Sequence, residues 1–258
     1  MNRLQRWWQQ RSLRKYRISL HLWQTALSQC AVIAPLDAEE RHRLRELASL
    51  FLHDKNIVGA QGMEVTEEVR VLIAAQACLL ILNLDLDYFT GWREVIVYPD
   101  SFVVDHKVHD EAGVVHETRH ALGGEAWGKG PVILSWQDAS PGAYPHGPGS
   151  NVILHEFAHK LDMLNGVANG MPPLHDDMSR PTWTEALSSA YHDLYQQLER
   201  HHQTAIDPYA AESPAEFFAV LSETFFEQPQ RLYENYPKVY EVFKQFYRQD
   251  PLSRLRRG

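Results

Sequence analysis

The sequence has little cysteine and no long apolar run. Only two cysteines, Cys30 and Cys78, occur among its 258 residues, and they form no C-x-x-C pair. This excludes a disulfide framework and favours two buried, reduced thiols. The longest apolar stretch, residues 71–84, is interrupted by Gln76 and Asn83 and is too short to span a bilayer. We therefore predict a cytoplasmic protein without a membrane span.

An excess of positive charge is also absent. The formal net charge is −8, with 25 Lys and Arg against 33 Asp and Glu, which argues against a general nucleic-acid binder. Residues 1–17 are nevertheless basic and contain Trp7 and Trp8, but no apolar run follows them, so we predict no secretory signal. This segment is interpreted either as an arm for a membrane surface or partner, or as a solvated terminal helix, which we prefer.

Periodicity and capping patterns predict a mainly helical α+β fold with a small mixed sheet. The predicted helices are 18–32, 37–53 (opened by an Asp37 capping box), 69–82, 152–164, 182–202, 213–228 and 237–248. The predicted strands are 94–98, 101–105, 114–117 and 131–136. With no repeat or linker evident, we predict a single domain, residues 1–258. In it, an N-terminal helical part, about residues 1–87, packs on the rest, about residues 88–258.

The most informative motif is H-E-x-x-H, formed by His155, Glu156 and His159. A turn-rich loop precedes it, with Ser150 or Asn151 as the N-cap, so the motif falls on a helix. Residues four apart share a helix face, so the two imidazoles can bind one metal ion with Glu156 beside them as a general base. The alternative is a core helix with two satisfied histidines.

A catalytic zinc needs a third protein ligand and one open position. Asp162 and Asn165 occupy the places of the metzincin glycine and third histidine, so that continuation fails. The remaining candidates are the later glutamates Glu185, Glu212, Glu216 and Glu223. Glu216 is the best of them, because its helix is apolar on most of its surface and a buried carboxylate needs a strong partner. However, Glu216 is also the N3 residue of a Ser213 capping box, and spacing leaves both roles open.

Two longer stretches extend the pattern: H-E-F-A-H-K-L-D at residues 155–162, and Y-A-A-E-S-P-A-E-F-F-A at residues 209–219. Together they resemble the Mlc titration factor A family, a likeness that extends over nearly the whole chain. Taken alone, the two helical segments that carry H-E-x-x-H and Glu216 also resemble the catalytic domain of anthrax lethal factor.

The family resemblance implies a zincin-like zinc peptidase of the gluzincin type with one Zn²⁺ per chain. His155, His159 and Glu216 would be its ligands, Glu156 its general base and Tyr209 its transition-state stabiliser. It also implies aminopeptidase activity on peptides. A further implication is binding of the glucose repressor Mlc, which is thereby inactivated without direct contact to nucleic acid and so regulates sugar phosphotransferase genes.

Three expectations depend on neighbouring segments. An edge strand at residues 132–136 would bind extended peptide through main-chain hydrogen bonds. Asp162 would either orient an imidazole or lie in solvent at a helix end, and residues 165–180 would form a loop at the rim of the site. The main alternative function is a non-catalytic protein that sequesters a repressor and carries a structural or incidental metal, which a fourth protein ligand would favour. The third possible function is that of a peripheral membrane protein that binds the membrane surface through Trp7 and Trp8.

Overall fold

The computed structural model describes residues 11–28, 30–100, 102–109, 115–122, 124–126, 130–143 and 149–256. Trp7 and Trp8 of the basic segment lie outside these residues. Within the described part of the chain, every helix is too short or too polar to cross a bilayer.

In the described part of the N-terminal region, residues 11–16 are helical. Three longer helices follow them: α1 (Leu20–Leu27), α2 (Ala38–Asp54) and α3 (Glu67–Leu80). The predicted capping box opens α2, since Glu40 N–H donates to the Asp37 carboxylate and Asp37 N–H donates to that of Glu40. All residues of α3 from position 71 to 80 are buried, which confirms a central helix. The prediction of one helix over 18–32 is wrong, because α1 ends at Leu27 and a separate 3-10 turn follows at Ala31–Ile33.

The described residues contain six strands in two sheets: β1 (Asn56–Gly59), β2 (Glu94–Tyr98), β3 (Phe102–His109), β4 (Val115–Leu122), β5 (Gly124–Ala126) and β6 (Val132–Ser135). The larger sheet has the order β1-β2-β6-β5, with β1, β2 and β6 parallel and β5 antiparallel to β6. Strands β3 and β4 form an antiparallel pair. The small mixed sheet is therefore confirmed, although the short strands β1 and β5 were not predicted.

The strand order corrects one prediction about peptide binding. Strand β6 lies between β2 and β5, so residues 132–136 do not form an edge, and Trp136 already belongs to a helix. Among the residues that the structure describes, the edges of this sheet are β1 and β5. Strand β1 joins β2 through α3 as a parallel crossover unit, which places the first strand of the sheet among the N-terminal helices.

The C-terminal half is helical: α4 (Trp136–Ala139), α5 (Val152–Asp162), α6 (Arg180–Glu199), α7 (Pro214–Glu227), α8 (Pro229–Asn235), α9 (Pro237–Tyr247) and α10 (Pro251–Leu255). Each of the last four begins with proline, which suits the first helical turn because its missing N–H has no partner there. Pro229 predicts only the end of α7, whereas in the structure it also begins the unpredicted helix α8.

Helix α5 lies in the centre of the molecule. It packs against α3 on one side, α7 on another and strands β5 and β6 on a third. Every residue of α5 is buried except His155, and even its side chain is only 12% exposed. An aromatic cluster that includes Trp183, Phe218, Phe225, Phe243 and Phe246 packs α7 against α6 and α9. The polar side chains of α5 are therefore held in a rigid, mostly dry environment.

Candidate metal centre

Three side chains from two helices converge at one point. His155 and His159 stand one turn apart on α5, and Glu216 lies in the first turn of α7. Oε2 of Glu216 is 2.9 Å from His155 Nε2 and 3.4 Å from His159 Nε2. The two Nε2 atoms are 3.1 Å apart. The structure thus brings together the three residues that the sequence proposes as metal ligands.

This triangle of atoms has the size that a metal ion requires. Tetrahedral bonds of about 2.0–2.1 Å place neighbouring ligand atoms roughly 3.3–3.4 Å apart, close to the three distances in the structure. A single proton can serve only one of the three contacts at a time, whereas a central cation satisfies all three lone pairs. Two imidazoles and one carboxylate are also donors that transition metals accept. The residues therefore fit a metal ion.

The two roles open to Glu216 turn out to be compatible. Its backbone N–H donates to Ser213 Oγ at 3.1 Å, so the serine caps α7. The carboxylate does not fold back onto the cap but extends to the histidines of α5. Hydrogen bonds from His155 and His159 lower the pKa of Glu216 in spite of its burial. Capping uses the main chain, which leaves the side chain available for a metal.

The other candidate glutamates lie elsewhere. Glu185 is exposed and pairs with Lys238 on the surface, and Glu212 is also exposed. Glu223 is buried but lies behind His155, with its Oε1 atom 2.7 Å from Nδ1. Burial alone would lower the pKa of His155, but the hydrogen bonds with Glu216 and Glu223 outweigh it and raise this pKa well above its usual value.

Glu156 and Tyr209, the two residues proposed to act on substrate, both border this site. Glu156 is 4% exposed, and its Oε2 atom has no hydrogen-bond partner among the described residues. Burial raises the pKa of Glu156 to about 7, against the opposing effect of the two histidines. Tyr209 belongs to the 3-10 helix Pro208–Ala211, and its ring centre is 6.0 Å from that of His155. Burial and nearby Glu216 raise the pKa of Tyr209, so it stays a neutral hydrogen-bond donor.

Asp162 has a role that the sequence does not reveal. It is fully buried, and its Oδ2 atom accepts hydrogen bonds from the backbone N–H groups of Asn169 and Gly170 at 2.8 and 2.7 Å. The prediction of a solvent-exposed helix end is therefore wrong. Gly170 has φ +78°, and an added Cβ would lie 2.5 Å from the carbonyl oxygen of Pro214. Asp162 thus holds the loop after α5 against the start of α7.

The buried helix carrying H-E-x-x-H, with a glutamate brought in from a second helix, is the arrangement of a metallopeptidase. The chain belongs to the glucose-regulated metallo-peptidase M90 family, whose sequence profile it matches over residues 4–248.

Curated relatives named Mlc titration factor A confirm the predicted resemblance. The chain is 42% identical to the one from Salmonella arizonae over 240 residues, covering 91% of this chain and 93% of the relative. It is 39% identical to the one from Klebsiella pneumoniae over 239 residues, covering 91% and 88%. It is also 39% identical to that from Pectobacterium atrosepticum over 243 residues, covering 92% and 89%.

Proposed function

We propose that this metallopeptidase is zinc-dependent, of the zincin-like gluzincin type, and acts as an aminopeptidase. The observation that supports this most strongly is the convergence of His155, His159 and Glu216, whose ligand atoms all lie within 4.8 Å of one another. Two histidine nitrogens and one carboxylate oxygen form a donor set typical of catalytic zinc. The assignment of the chain to a metallo-peptidase family supports a role for this donor set in peptide hydrolysis.

In this proposal the chain supplies proton transfer and charge stabilisation. Zinc bound at the three ligands would contribute Lewis acidity toward water and the peptide carbonyl. Glu156, next to His155 on α5, accepts a proton from the attacking water and delivers it to the leaving amine. Tyr209 donates a hydrogen bond to the carbonyl oxygen as it becomes negative.

Because residues 132–136 do not form an edge, we propose instead that an extended peptide binds along β5. This strand is an edge of the larger sheet and packs beside α5. Its outer main-chain N–H and C=O groups would pair with an extended peptide and hold it across the metal helix. The loop at residues 165–180, which Asp162 holds through the backbone N–H groups of Asn169 and Gly170, would border the metal site.

We also propose that the chain binds and inactivates a repressor of the Mlc type in the cytoplasm, and so regulates sugar phosphotransferase genes without contacting nucleic acid. The support is the name Mlc titration factor A carried by relatives that are 39–42% identical. The alternative is a repressor-sequestering protein whose metal is not catalytic. We further propose that the chain forms a single domain, and the pairing of β1 with β2 across the predicted division near residue 87 supports this.

Zinc content measured alongside peptide hydrolysis tests the enzymatic proposal. We expect one zinc per chain, hydrolysis of aminoacyl and short peptide substrates, loss of activity on chelation and recovery with added zinc. A repressor pull-down on the same samples tests the second activity. Repressor binding by a protein that takes up no zinc and hydrolyses nothing would reject the peptidase in favour of sequestration alone.

A further inference from the structure

We propose that Glu223 is a positioning residue that holds the ring of His155 so that Nε2 faces the metal. This inference rests on the proposed function, since it presumes a metal at the site. Glu216 and Glu223 are two turns apart on α7 and share one face. The first carboxylate contacts Nε2 of His155 at 2.9 Å and the second contacts Nδ1 at 2.7 Å. The ring is thus held at both nitrogens by one helix.

The chemistry of the contact selects one tautomer. A neutral imidazole carries one ring proton, and an ionised carboxylate can only accept hydrogen bonds. Glu223 therefore keeps the proton on Nδ1 of His155, which leaves the Nε2 lone pair for the metal. The other histidine differs, because Nδ1 of His159 is buried without a hydrogen-bond partner among the described residues. The structure assigns this supporting role at His155 alone within the part it describes.

Glu223 is itself held in place by Asn151. The backbone N–H of Asn151 donates to Glu223 Oε2, while its side-chain oxygen caps α5 by accepting from Leu154 N–H at 3.1 Å. The side-chain amide group donates to Gln76 and Glu227 at 2.7 and 2.6 Å. Asn151 thus joins the start of the metal helix to the carboxylate that orients its first histidine.

Both neighbours of Glu223 are donors, which makes Glu223→Gln a sharp test. Glutamine has one acceptor atom and one donor group, so it cannot accept from both His155 Nδ1–H and Asn151 N–H. If its oxygen faces Asn151, its amide hydrogens face Nδ1 and favour the tautomer with the proton on Nε2. If its oxygen faces His155, its amide group opposes the N–H of Asn151. In both arrangements the ring loses its pre-set orientation.

The matched control is Glu227→Gln, which makes the same substitution one turn later on α7. Glu227 Oε1 only accepts, from the side-chain amide of Asn151, and the glutamine oxygen can do the same. The control therefore keeps the hydrogen bond between Glu223 and His155, which Glu223→Gln weakens, and it removes the same formal charge.

The experiment measures zinc affinity by competition with a chromogenic chelator for the full chain, wild type and both variants. Removing a group that orients a metal-binding histidine typically weakens affinity about 10–100-fold. We expect that loss for Glu223→Gln and a change within about threefold for Glu227→Gln. Equal affinity of Glu223→Gln and wild type would overturn the positioning role while leaving the zinc site intact. A wild type that binds no zinc would instead reject the proposed function.

A second measurement does not depend on the folding of a variant. Nitrogen-15 NMR of the zinc-loaded wild type should show the Nδ1–H proton of His155 in slow exchange, because it is hydrogen-bonded to a buried carboxylate. Rapid exchange of that proton would contradict the contact with Glu223. Thermal unfolding in excess chelator would show whether Glu223→Gln disturbs the fold apart from metal binding.

Discussion

Replacing Glu216 by alanine should weaken zinc binding more than any change that leaves the three ligands in place. The carboxylate is the only proposed ligand from α7 in the described group, and it contacts both imidazoles of α5. Loss of an orienting group outside the ligands costs about 10–100-fold in affinity, so loss of a ligand should cost more than about 100-fold. The variant Glu212→Ala makes the same change at an exposed position and serves as the matched control.

The effect can be expressed as a shift in thermal stability. Zinc at a free concentration of about 1,000 times the wild-type Kd stabilises the folded wild type by about 4.1 kcal/mol. At the same concentration, a variant that binds about 100-fold more weakly gains only about 1.4 kcal/mol. A domain of this size gains about 2–4 °C in Tm per kcal/mol. We therefore expect zinc to raise Tm by about 8–16 °C in the wild type and by no more than about 3–6 °C in Glu216→Ala.

The assay is thermal unfolding of each protein in excess chelator and in buffered free zinc. A zinc-dependent shift in Glu216→Ala as large as that of the wild type would refute the assignment of Glu216 as a ligand.

The variant Ser213→Ala tests the capping of α7 separately from metal binding. It should lower stability by about 1 kcal/mol in the presence of chelator yet keep the zinc-dependent shift, because only the backbone of Glu216 depends on the serine.

Three further predictions concern catalysis and pH. Glu156→Gln should lower peptide hydrolysis by about 100-fold or more while the zinc content stays at the wild-type level; turnover at the wild-type rate would contradict its role as the general base. Tyr209→Phe should lower kcat by about 100-fold without loss of zinc, and an unchanged kcat would remove the phenol from the mechanism. Although burial opposes them, hydrogen bonds from Lys244 and Tyr240 lower the pKa of Asp250. This carboxylate therefore stabilises the fold above its unfolded pKa, near 3.9, and loses that contribution as pH falls through its lower folded pKa. Urea unfolding should show Asp250→Asn to be less stable than the wild type by about 0.5–1 kcal/mol at pH 7, with a smaller difference near pH 3; a constant difference would contradict the shift.

Elements determined by short-range patterns are predicted well. The capping box of Asp37 and Glu40 and the strand at residues 94–98 each show a pattern among residues within a few positions of one another. Elements whose stability comes from distant partners are missed. Strand β1 has only four residues and one buried side chain, and it is a strand because it pairs with β2.

The roles of individual acidic residues show the same division. Asp162 has the spacing of a group that could orient an imidazole, yet its carboxylate binds the backbone of the following loop. Residues 132–136 have the pattern of a strand, but only the strand order shows that β5 is the edge beside α5. In both cases the deciding partner is a backbone group whose position depends on the path of the chain.

The sequence by itself determined the first half of the candidate metal site. A helix of 3.6 residues per turn places His155 and His159 on one face, and that geometry holds wherever the helix packs. Only the tertiary structure decided how the glutamates divide the remaining roles, because four of them had compatible sequence positions. The packing of α7 against α5 brings Glu216 to Nε2 and Glu223 to Nδ1 of His155. The reason is physical: helical periodicity is local, whereas the distance between two helices depends on every side chain packed between and around them.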